Sequence, residues 1–415
     1  MERVVIVEAC RTAVGSMGGT LRPLHAVDLA SAVLQGILDR SKVNPEEIDE
    51  VILGHCRQTS DDPNIARVAA LKVGIPESTP AYTVMRQCAS GMTAVQNAAM
   101  SIMTGINGVV IAGGTESMSN AVFYLRNARW GVGTGNTELV DALTEGQFQS
   151  QPQETYGRYN MGATAENVAQ TMGITREEQD AFSLESQRRA IAAIDGGKFK
   201  EEIVPVEVPQ GRKKPPVVFD TDEFPRRDTN EEKMAKLKPC FNIRKDEEGR
   251  VYNDSALTGT VTAASSSGRN DGASAMLLMS ESKAKALGLK PLAVVKGMGT
   301  AGCDPRLMGL GPVYAVPKAL KNAGLTLDDI GLFELNEAFA SQSLGCIKAL
   351  GLENRMNDIN VNGGAIALGH PVGSSGCRIL VTLLYEMRRR GVKYGLGTLC
   401  IAGGMGQATI LELCD

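Results

Sequence analysis

The 415-residue sequence lacks a strong excess of either charge, with a formal net charge of −4 at pH 7. Such a chain does not attract nucleic acid through its overall charge, so any anionic ligand would have to be held by a local basic cluster. No run approaches the roughly 18 apolar residues of a membrane helix. The first residues form a strand-like run without the charged and apolar regions of a signal peptide. We therefore predict a soluble, cytoplasmic protein whose partners include neither nucleic acid nor a membrane.

The nine cysteines are scattered, odd in number and without a CxxC pair. This pattern predicts neither a disulfide framework nor a metal site. Glycine, in contrast, is abundant: 46 of 415 residues, about 11%, against roughly 7% in average proteins. Many glycines stand in short runs, such as Gly113-Gly114, Gly363-Gly364 and Gly403-Gly404. These runs predict tight turns rather than a flexible linker.

Strand-like runs alternate with helical patterns, which predicts an α/β fold. The chain also repeats itself, because three segments of its first part recur in the same order near its end. They are the helix start before Ile48, matched before Ile330; Ser90-Gly91 opening a helix, matched by Ser375-Gly376; and residues 110–114, matched by 400–404. The offsets are similar (330 − 48 = 282, 375 − 90 = 285, 401 − 111 = 290). We predict two related α/β halves.

A long insertion from about residue 120 to 268 differs in composition from both halves. It contains the single tryptophan, Trp130, and a capped amphipathic helix predicted to start at Thr175. Two interpretations remain open, a surface subdomain with oligomer contacts or a lid that binds substrate. The predicted domains are residues 1–119 with 269–291 as the first half, 120–268 as the inserted loop domain, and 292–415 as the second half.

Cys88 lies between a strand-like run and a helical pattern that Gly105 ends. A thiol at such a corner is pushed toward thiolate by the helix dipole and by free N–H groups, although a buried structural cysteine is the commoner role. His370 stands on a rigid Gly-His-Pro corner before another helix and suits a general base. We interpret His55 as structural and His25 as a surface residue.

Cys400 precedes a glycine-rich turn, and it is a second candidate acid or base. An N–H of that turn, with the N–H of Cys88, is predicted to form an oxyanion hole. Asn336 ends a strand-like run, where it can orient a water or donate to an oxyanion; a helix cap is the alternative. Two cysteines and one histidine on tight turns indicate covalent acyl chemistry.

Four segments resemble the signature motifs of the thiolases, in the family's order: residues 88–92 (CASGM), 336–340 (NEAFA), 363–371 (GGAIALGHP) and 400–406 (CIAGGMG). The resemblance extends over essentially the whole chain. It implies a five-layer α-β-α-β-α fold made of two related halves with an inserted loop domain. It also implies a role in fatty acid metabolism, as in β-oxidation, and a homotetramer or homodimer.

The resemblance further implies a role for each motif residue. Cys88 is similar to the nucleophile that becomes acylated, and His370 to its activating base and a donor of the first oxyanion hole. Asn336 resembles the residue that holds the water completing that hole. Cys400 resembles the acid/base for the acetyl-CoA carbon, and the N–H groups of Cys88 and Ala402 would form the second hole.

Coenzyme A would be a substrate, with no separate cofactor and no metal. The resemblance places six residues along its tunnel: Met161, Arg226, Phe241, Ser267, Met308 and Phe339. Three positions depart from the family. Ala402 replaces a glycine and adds a methyl group to a crowded turn, Asn160 replaces a histidine typical of acetoacetyl-CoA enzymes, and residues 262–267 lack a common asparagine. Small residues beside Met161 are predicted to leave room for longer acyl chains.

The predicted activity is thiolysis of 3-oxoacyl-CoA to acetyl-CoA and a shortened acyl-CoA, or the reverse Claisen condensation, through an acyl-Cys88 intermediate. An acetoacetyl-CoA-specific acetyltransferase is the nearest alternative. A ketoacyl-synthase type of condensing enzyme would need no second catalytic cysteine, so Cys400 argues against it. A non-enzymatic acyl-CoA- or lipid-binding relative would be expected to lack Cys88, His370 or Cys400.

Overall fold

The computed structural model describes residues 2–254 and 258–414. Met1, residues 255–257 and Asp415, which fall inside the predicted domain ranges, lie outside the described residues. The first half of the chain alternates strands and helices: β1 (Val4–Thr12), β2 (Gly15–Ser16), α1 (Ala26–Ser41), β3 (Glu50–Gly54), α2 (Ile65–Lys72), β4 (Ala81–Val84), α3 (Ser90–Met103) and β5 (Val109–Ser117).

The inserted region follows with shorter elements: β6 (Phe123–Leu125), β7 (Leu139–Asp141), α4 (Ala142–Phe148), α5 (Gln153–Tyr156), α6 (Met161–Met172), α7 (Arg176–Asp195), β8 (Ile203–Val204), β9 (Val206–Val208), β10 (Val217–Phe219), α8 (Glu231–Ala235), β11 (Ile243–Lys245) and β12 (Val251–Asn253). The chain then completes its first half and forms the second: β13 (Asn270–Ser280), α9 (Glu281–Ala286), β14 (Ala293–Gly302), α10 (Gly311–Ala323), β15 (Leu332–Leu335), α11 (Ala340–Ala349), α12 (Ala365–Leu368), α13 (Val372–Arg390), β16 (Tyr394–Ile401) and β17 (Met405–Leu413).

Among the described residues, eleven strands form one sheet whose main path runs β15-β16-β17-β14-β1-β13-β5-β3-β4. The path is nearly symmetric about the β1–β14 pair, where the two halves meet in antiparallel register. On either side of that pair, the order of equivalent strands is the same: β13, β5 and β3 on one side, β17, β16 and β15 on the other. The predicted duplication therefore appears as two equivalent half-sheets.

Helices α3 and α13 pack against each other and against strands of both halves, so they form the central layer. One apolar cluster surrounds them, a second lies under α1 and α2, and a third lies under α10 and α11. These three cores separate five layers, as the resemblance to the thiolases implies. The two central helices approach closely, since a Cβ added at Gly376 would lie 2.6 Å from the backbone nitrogen of Met92.

Two local predictions about the repeat need correction. The segments before Ile48 and Ile330 are single 3₁₀ turns, Pro45–Glu47 and Leu327–Asp329, rather than the start of longer helices. Asn44 caps the first turn by accepting the Glu46 N–H at 3.2 Å. Ser90 does open α3, but α13 already begins at Val372, so Ser375 lies inside its first turn. The shift brings Ser375 within reach of His370.

The inserted region packs onto the second half and contains the predicted capped helix. The N–H of Thr175 donates to the Glu178 carboxylate at 2.7 Å, and the Glu178 N–H donates back to the Thr175 hydroxyl at 3.2 Å. From α7, Ser186 donates to Glu337 beyond β15 at 2.6 Å. Within the described ranges, no helix has both the length and the apolar character required to cross a bilayer.

Candidate active site

A cavity of about 270 Å³ opens where the central helices meet the inserted region. Eight of the eleven predicted site residues line it: Cys88, Met161, Phe241, Ser267, Met308, Phe339, His370 and Ala402. Cys400 and Asn336 do not line it, because both are fully buried behind its wall. Arg226 lies elsewhere, on a separate groove. The fold thus collects residues that are up to 314 positions apart (402 − 88 = 314).

Cys88 lies on the predicted strand-to-helix corner, between β4 and α3. The preceding residue, Gln87, has a φ of +45°, which is costly for a residue with a side chain. Ser90 stabilises this turn, since its hydroxyl donates to the Gln87 carbonyl at 2.7 Å and accepts the Arg86 N–H at 2.9 Å. The strained turn directs the thiol into the cavity instead of into the core.

Burial raises the pKa of the Cys88 thiol, whereas three groups oppose that effect. They are the backbone N–H of Ala402, the guanidinium of Arg57 and the N–H of Cys88 itself. The N–H groups of Ala402 and Cys88 therefore both face the sulfur. That they form the second oxyanion hole stays a prediction. The thiol remains protonated at neutral pH until a base removes its proton.

His370 is positioned by two hydrogen bonds and by the glycine turn before it. Its N–H donates to the Asn270 side chain at 2.9 Å, and Gly369 before it has a φ of +96°. Its Nδ1 lies 2.6 Å from the Ser375 hydroxyl, which itself donates to the Pro371 carbonyl at 2.9 Å. Because that hydroxyl proton is already used, the hydroxyl accepts from Nδ1–H. The Nε2 atom therefore carries the lone pair, and it is buried without a partner among the residues that the structure describes.

Burial and the charge of Arg378 lower the pKa of His370 to about 4, against the weaker effect of Glu116. The imidazole is accordingly neutral at pH 7 and able to accept a proton. Arg378 is itself fully buried, and none of its guanidinium nitrogens has a hydrogen-bond partner among the described residues. Its charge lies near Glu334, whose pKa burial raises to about 8.

Cys400 is the penultimate residue of β16, and its side chain is fully buried. It packs in one small cluster with Met308 and Phe339, against which Met161 and Phe241 also lie. Burial, followed by the proximity of Cys88, raises the pKa of its thiol well above the usual range. Cys400 is thus a protonated acid directly behind the cavity wall.

The turn after Cys400 accommodates Ala402, which stands where the family motif has a glycine. Gly403 and Gly404 have φ angles of +88° and +81°, values that favour glycine, whereas Ala402 has no positive φ. The methyl group of Ala402 lies at the cavity wall and causes no backbone strain. The alanine is therefore compatible with a turn that exposes its N–H.

Asn336 directly follows β15, and its N–H donates to the Thr398 carbonyl at 3.0 Å. Both polar atoms of its side chain are buried without a partner in the described part of the chain. An orphaned buried amide is a site for an ordered water, which satisfies both its donor and its acceptor. The alternative of a helix cap is wrong, because α11 begins only at Ala340.

The structure also explains the other two positions that depart from the family, Asn160 and residues 262–267. Asn160 caps α6, since its side chain accepts the Ala163 N–H at 3.0 Å. The loop without the family's asparagine is closed by its own hydroxyls, with the Thr262 N–H donating to Ser265 at 2.9 Å. The predicted room beside Met161 is limited to the cavity that Met161 and Gly162 line. Ala163 and Ala165 are fully buried, and a Cβ at Gly162 would clash with the Phe241 ring.

Sequence reasoning missed three charged or polar groups, namely Ser375, Arg378 and Arg57. Ser375 and Arg378 lie five and eight residues after His370, so a helix beginning directly after the histidine would have indicated them. Arg57 follows β3 and carried no signal, because only the folded chain brings it to the cavity of Cys88.

Comparisons with known proteins identify the family and the fold of this chain. The chain matches two family models, "Thiolase, N-terminal domain" over residues 4–282 and "Thiolase, C-terminal domain" over residues 289–413. An acetyl-CoA acetyltransferase of Chromobacterium violaceum is 52% identical over 409 residues and covers 99% of both chains. The crystal structure of the Bacillus anthracis acetyl-CoA acetyltransferase has a TM-score of 0.92 at 44% identity, covering 100% of this chain and 99% of that one. Human mitochondrial 3-ketoacyl-CoA thiolase in complex with CoA has a TM-score of 0.90 at 41% identity, covering 100% and 98%.

The chain therefore belongs to the thiolase family, and the predicted family and fold are confirmed. It is an acyltransferase of the kind that cleaves 3-oxoacyl-CoA with CoA or runs the reverse condensation. Coenzyme A is a substrate, and the family uses no further cofactor. No group of three or more metal-ligating side chains occurs in the described residues.

Proposed function

We propose that this protein is an acetyl-CoA C-acyltransferase that acts on 3-oxoacyl-CoA of six or more carbons. The observation that carries the proposal is the cavity in which Cys88, a neutral His370 and the Ala402 N–H meet. In the first half-reaction, His370 Nε2 takes the Cys88 proton and the thiolate attacks the 3-oxo carbon. The bond between carbons 2 and 3 then breaks.

The electron pair of that bond stays on carbon 2 of the departing acetyl-CoA, and Cys400 is the group we assign to protonate it. Its raised pKa keeps it protonated until the carbanion forms. Asn336 holds the water that, with His370, stabilises the enolate oxygen of the departing acetyl-CoA. The N–H groups of Cys88 and Ala402 stabilise the oxyanion that forms on the carbon bound to Cys88, both when the thiolate attacks and when CoA removes the acyl group.

The coenzyme is proposed to run from Cys88 past Ser267 toward Arg226. Ser266 supports this route because it lines both the Cys88 cavity and a small cavity that contains Arg226. Met161, Phe241, Met308 and Phe339 would contact the pantetheine. Arg226 would then meet the nucleotide phosphates, in a groove that also contains Arg188 and Arg227.

A steady-state panel of 3-oxoacyl-CoA substrates from four to sixteen carbons, with branched and aromatic chains, tests the proposal. The second candidate is an acetoacetyl-CoA-specific acetyltransferase, which the names of the Chromobacterium and Bacillus relatives favour. Asn160 favours longer chains, because it replaces the histidine typical of acetoacetyl-CoA enzymes. A higher kcat/KM for acetoacetyl-CoA than for the six-carbon substrate would establish the second candidate.

The remaining predictions extend this proposal. We infer a cytoplasmic homotetramer or homodimer that works in fatty acid β-oxidation. Residues 1–119 with 269–291 and residues 292–415 would be its two halves, and residues 120–268 would supply CoA binding and oligomer contacts. Sedimentation analysis of the purified protein measures the oligomeric state directly.

A further inference from the structure

Two arginines are the only residues of the cavity lining, among those the structure describes, that carry a full charge at neutral pH. They are Arg57 and Arg269, and the lining contains no aspartate or glutamate. The pantetheine arm and the thioester of an acyl-CoA are neutral, so this excess of positive charge has no counterpart in them. The phosphates of CoA are proposed to lie at the other end of the route, toward Arg226.

Neither arginine forms an ion pair with the described part of the protein, although, against the effect of burial, the charge of Arg57 helps to lower the pKa of Glu116. Arg57 makes no side-chain hydrogen bond or ion pair there, and its Nε is buried without a partner. The carboxylate of Glu116 is occupied by others: it pairs with His55 at 3.2 Å and accepts the N–H groups of Cys56, Arg57 and Gly373 at 3.0–3.2 Å. A partly buried cation without a partner is costly unless a ligand supplies the anion.

Arg269 shows the same pattern. Its side chain makes no ion pair with a described residue, although its charge adds to the groups that lower the pKa of Asp141 against the opposing effect of burial. The Asp141 carboxylate is already committed, since it caps α4 by accepting the Leu143 N–H at 2.9 Å and the Thr144 hydroxyl at 2.5 Å. Arg269 is thereby placed on the α4 side of the cavity.

Arg57 also lies against α4. A Cβ added at Gly146 would approach the Nη1 atom of Arg57 to 2.5 Å, so the absence of a side chain at Gly146 gives the guanidinium its place. Gly146, Gln147 and Phe148 of α4 line the cavity with the two arginines. Ser266 and Ser267 line the same cavity, and the CoA route that we propose leaves it past them toward Arg226, so we assign the α4 wall with Arg57 to the acyl chain.

We propose that the acyl end of this cavity binds 3-oxoacyl-CoA chains that terminate in a carboxylate, with Arg57 as the principal partner of that carboxylate. The inference rests on the proposed thiolase function and specifies its substrate class. A guanidinium binds a carboxylate through two parallel hydrogen bonds, and such charge-assisted bonds are among the strongest in proteins. Thiolysis of a six-carbon substrate of this class would give acetyl-CoA and succinyl-CoA, with the succinyl group held on Cys88 between the two half-reactions.

The test compares substrates of equal length with and without the terminal charge. Thiolysis of 3-oxoadipyl-CoA is measured against 3-oxohexanoyl-CoA, and 3-oxosuberyl-CoA against 3-oxooctanoyl-CoA, on one preparation. Because all carry the same CoA, its contribution cancels. We expect kcat/KM to be about 10- to 100-fold higher for the acidic member of at least one pair, the range for a hydrogen-bonded charge.

Three variants separate substrate recognition from an effect on the nucleophile. Arg57→Gln should lower the kcat/KM of the acidic substrate about 10- to 100-fold more than that of the neutral one, and Arg57→Lys should retain part of the preference. Gly146→Ala, which displaces the guanidinium, should also reduce the preference. Equal losses on acidic and neutral substrates in Arg57→Gln would assign Arg57 to activation of Cys88 and overturn the proposal.

The remaining outcomes are also decisive. If neutral substrates are cleaved as well as or better than acidic ones at both lengths, the substrate class is wrong while the thiolase function stands. If no substrate of either kind is cleaved and Cys88 is not acylated, the proposed function itself fails.

Discussion

The same five-residue pattern occupies equivalent places in the two halves and folds differently. Residues 110–114 lie inside β5, which continues without a break to Ser117. Residues 400–404 leave β16 after Ile401 and turn through two glycines into β17. In the first half the glycines have ordinary φ angles, whereas Gly403 and Gly404 have values of +88° and +81°. The repeated segment is thus part of a continuous strand in the first half, whereas in the second half it forms the turn beside Cys88.

The neighbours of the two segments explain the difference. In the first half, Cβ atoms at Gly113 and Gly114 would clash with the backbone carbonyls of Ser274 and Gly373. Those glycines therefore permit close packing of β5 against β13 and against the start of α13. In the second half, the turn points an N–H at Cys88. One sequence pattern serves close approach in one place and a positive φ in the other.

The two central helices, by comparison, begin in a similar way. Each follows a residue with positive φ, Gln87 before the Cys88 corner and Gly369 before His370. The duplication therefore brings two equivalent helix starts together, one with a thiol and one with an imidazole. We infer that the site arose at the contact of the halves, where neither half alone holds both groups.

Replacing the nucleophile should have the largest effect. Cys88→Ser should abolish turnover and leave the fold intact, because a hydroxyl is a far weaker nucleophile near neutral pH. Incubation of the wild type with acetyl-CoA should add one acetyl group, mapped by mass spectrometry to the Cys88 peptide. Cys240→Ser, at an exposed thiol, is the control and should label normally. Acetylation of another cysteine would show that Cys88 is not the nucleophile and that the roles of the Cys88 and His370 corners are assigned wrongly.

Substitution of Cys400 should have the next largest effect on activity, and its equivalent in the first half, Val110, provides the control. Cys400→Ala should lower thiolysis by about 10²–10⁴-fold, the usual cost of losing a general acid or base, while Cys88 is still acylated. Val110→Ala, at the equivalent and fully buried position of β5, should cost roughly 1–2 kcal/mol of unfolding free energy and leave kcat within a few-fold. Thiolysis near the wild-type rate in Cys400→Ala would make both positions structural.

Much of the fold and of this site was predictable from sequence, for identifiable reasons. The repeat and the turn glycines are local patterns, so they located the two halves and the corners of Cys88, His370 and Cys400. The partners of those residues were not predictable in the same way. The bond between His370 and Ser375 depends on where α13 begins, and the approach of Arg57 depends on the pairing of β3 with β5. Such contacts arise only when distant segments are packed together.

The glycine pairs test the contrast between turn and strand directly. Gly403→Ala places a side chain at positive φ and brings its Cβ to 2.9 Å from the Ser150 carbonyl, so it should displace the Ala402 N–H. Loss of one oxyanion-hole donor typically lowers kcat by about 10²–10³-fold, and a shifted donor should approach the lower figure. Gly113→Ala should lower the melting temperature instead, with kcat per folded molecule nearly unchanged. Equal effects on kcat would remove the functional distinction between the segments.

A smaller effect is expected at the helix starts. Ser375→Ala removes the acceptor for His370 Nδ1–H, so the imidazole can also adopt the tautomer that has no lone pair on Nε2. We expect kcat to fall about fivefold, in line with one hydrogen bond of roughly 1 kcal/mol. Ser375→Thr, which keeps the hydroxyl, should recover most of the activity. A variant that loses stability without losing kcat would show that the serine only supports the turn.

The smallest expected effect is the pH dependence of the wild type. Burial and the charge of Arg378 lower the pKa of His370 to about 4, against the raising effect of Glu116. A base must be neutral to accept a proton, so its activity falls only as the pH drops through its own pKa in the free enzyme. The kcat/KM for thiolysis should therefore change little between about pH 7 and pH 5.5, whereas a histidine with its ordinary pKa near 6.5 would lose about tenfold. A profile that falls with unit slope below about pH 6.5 would contradict this prediction, because His370 would then titrate as it does in water.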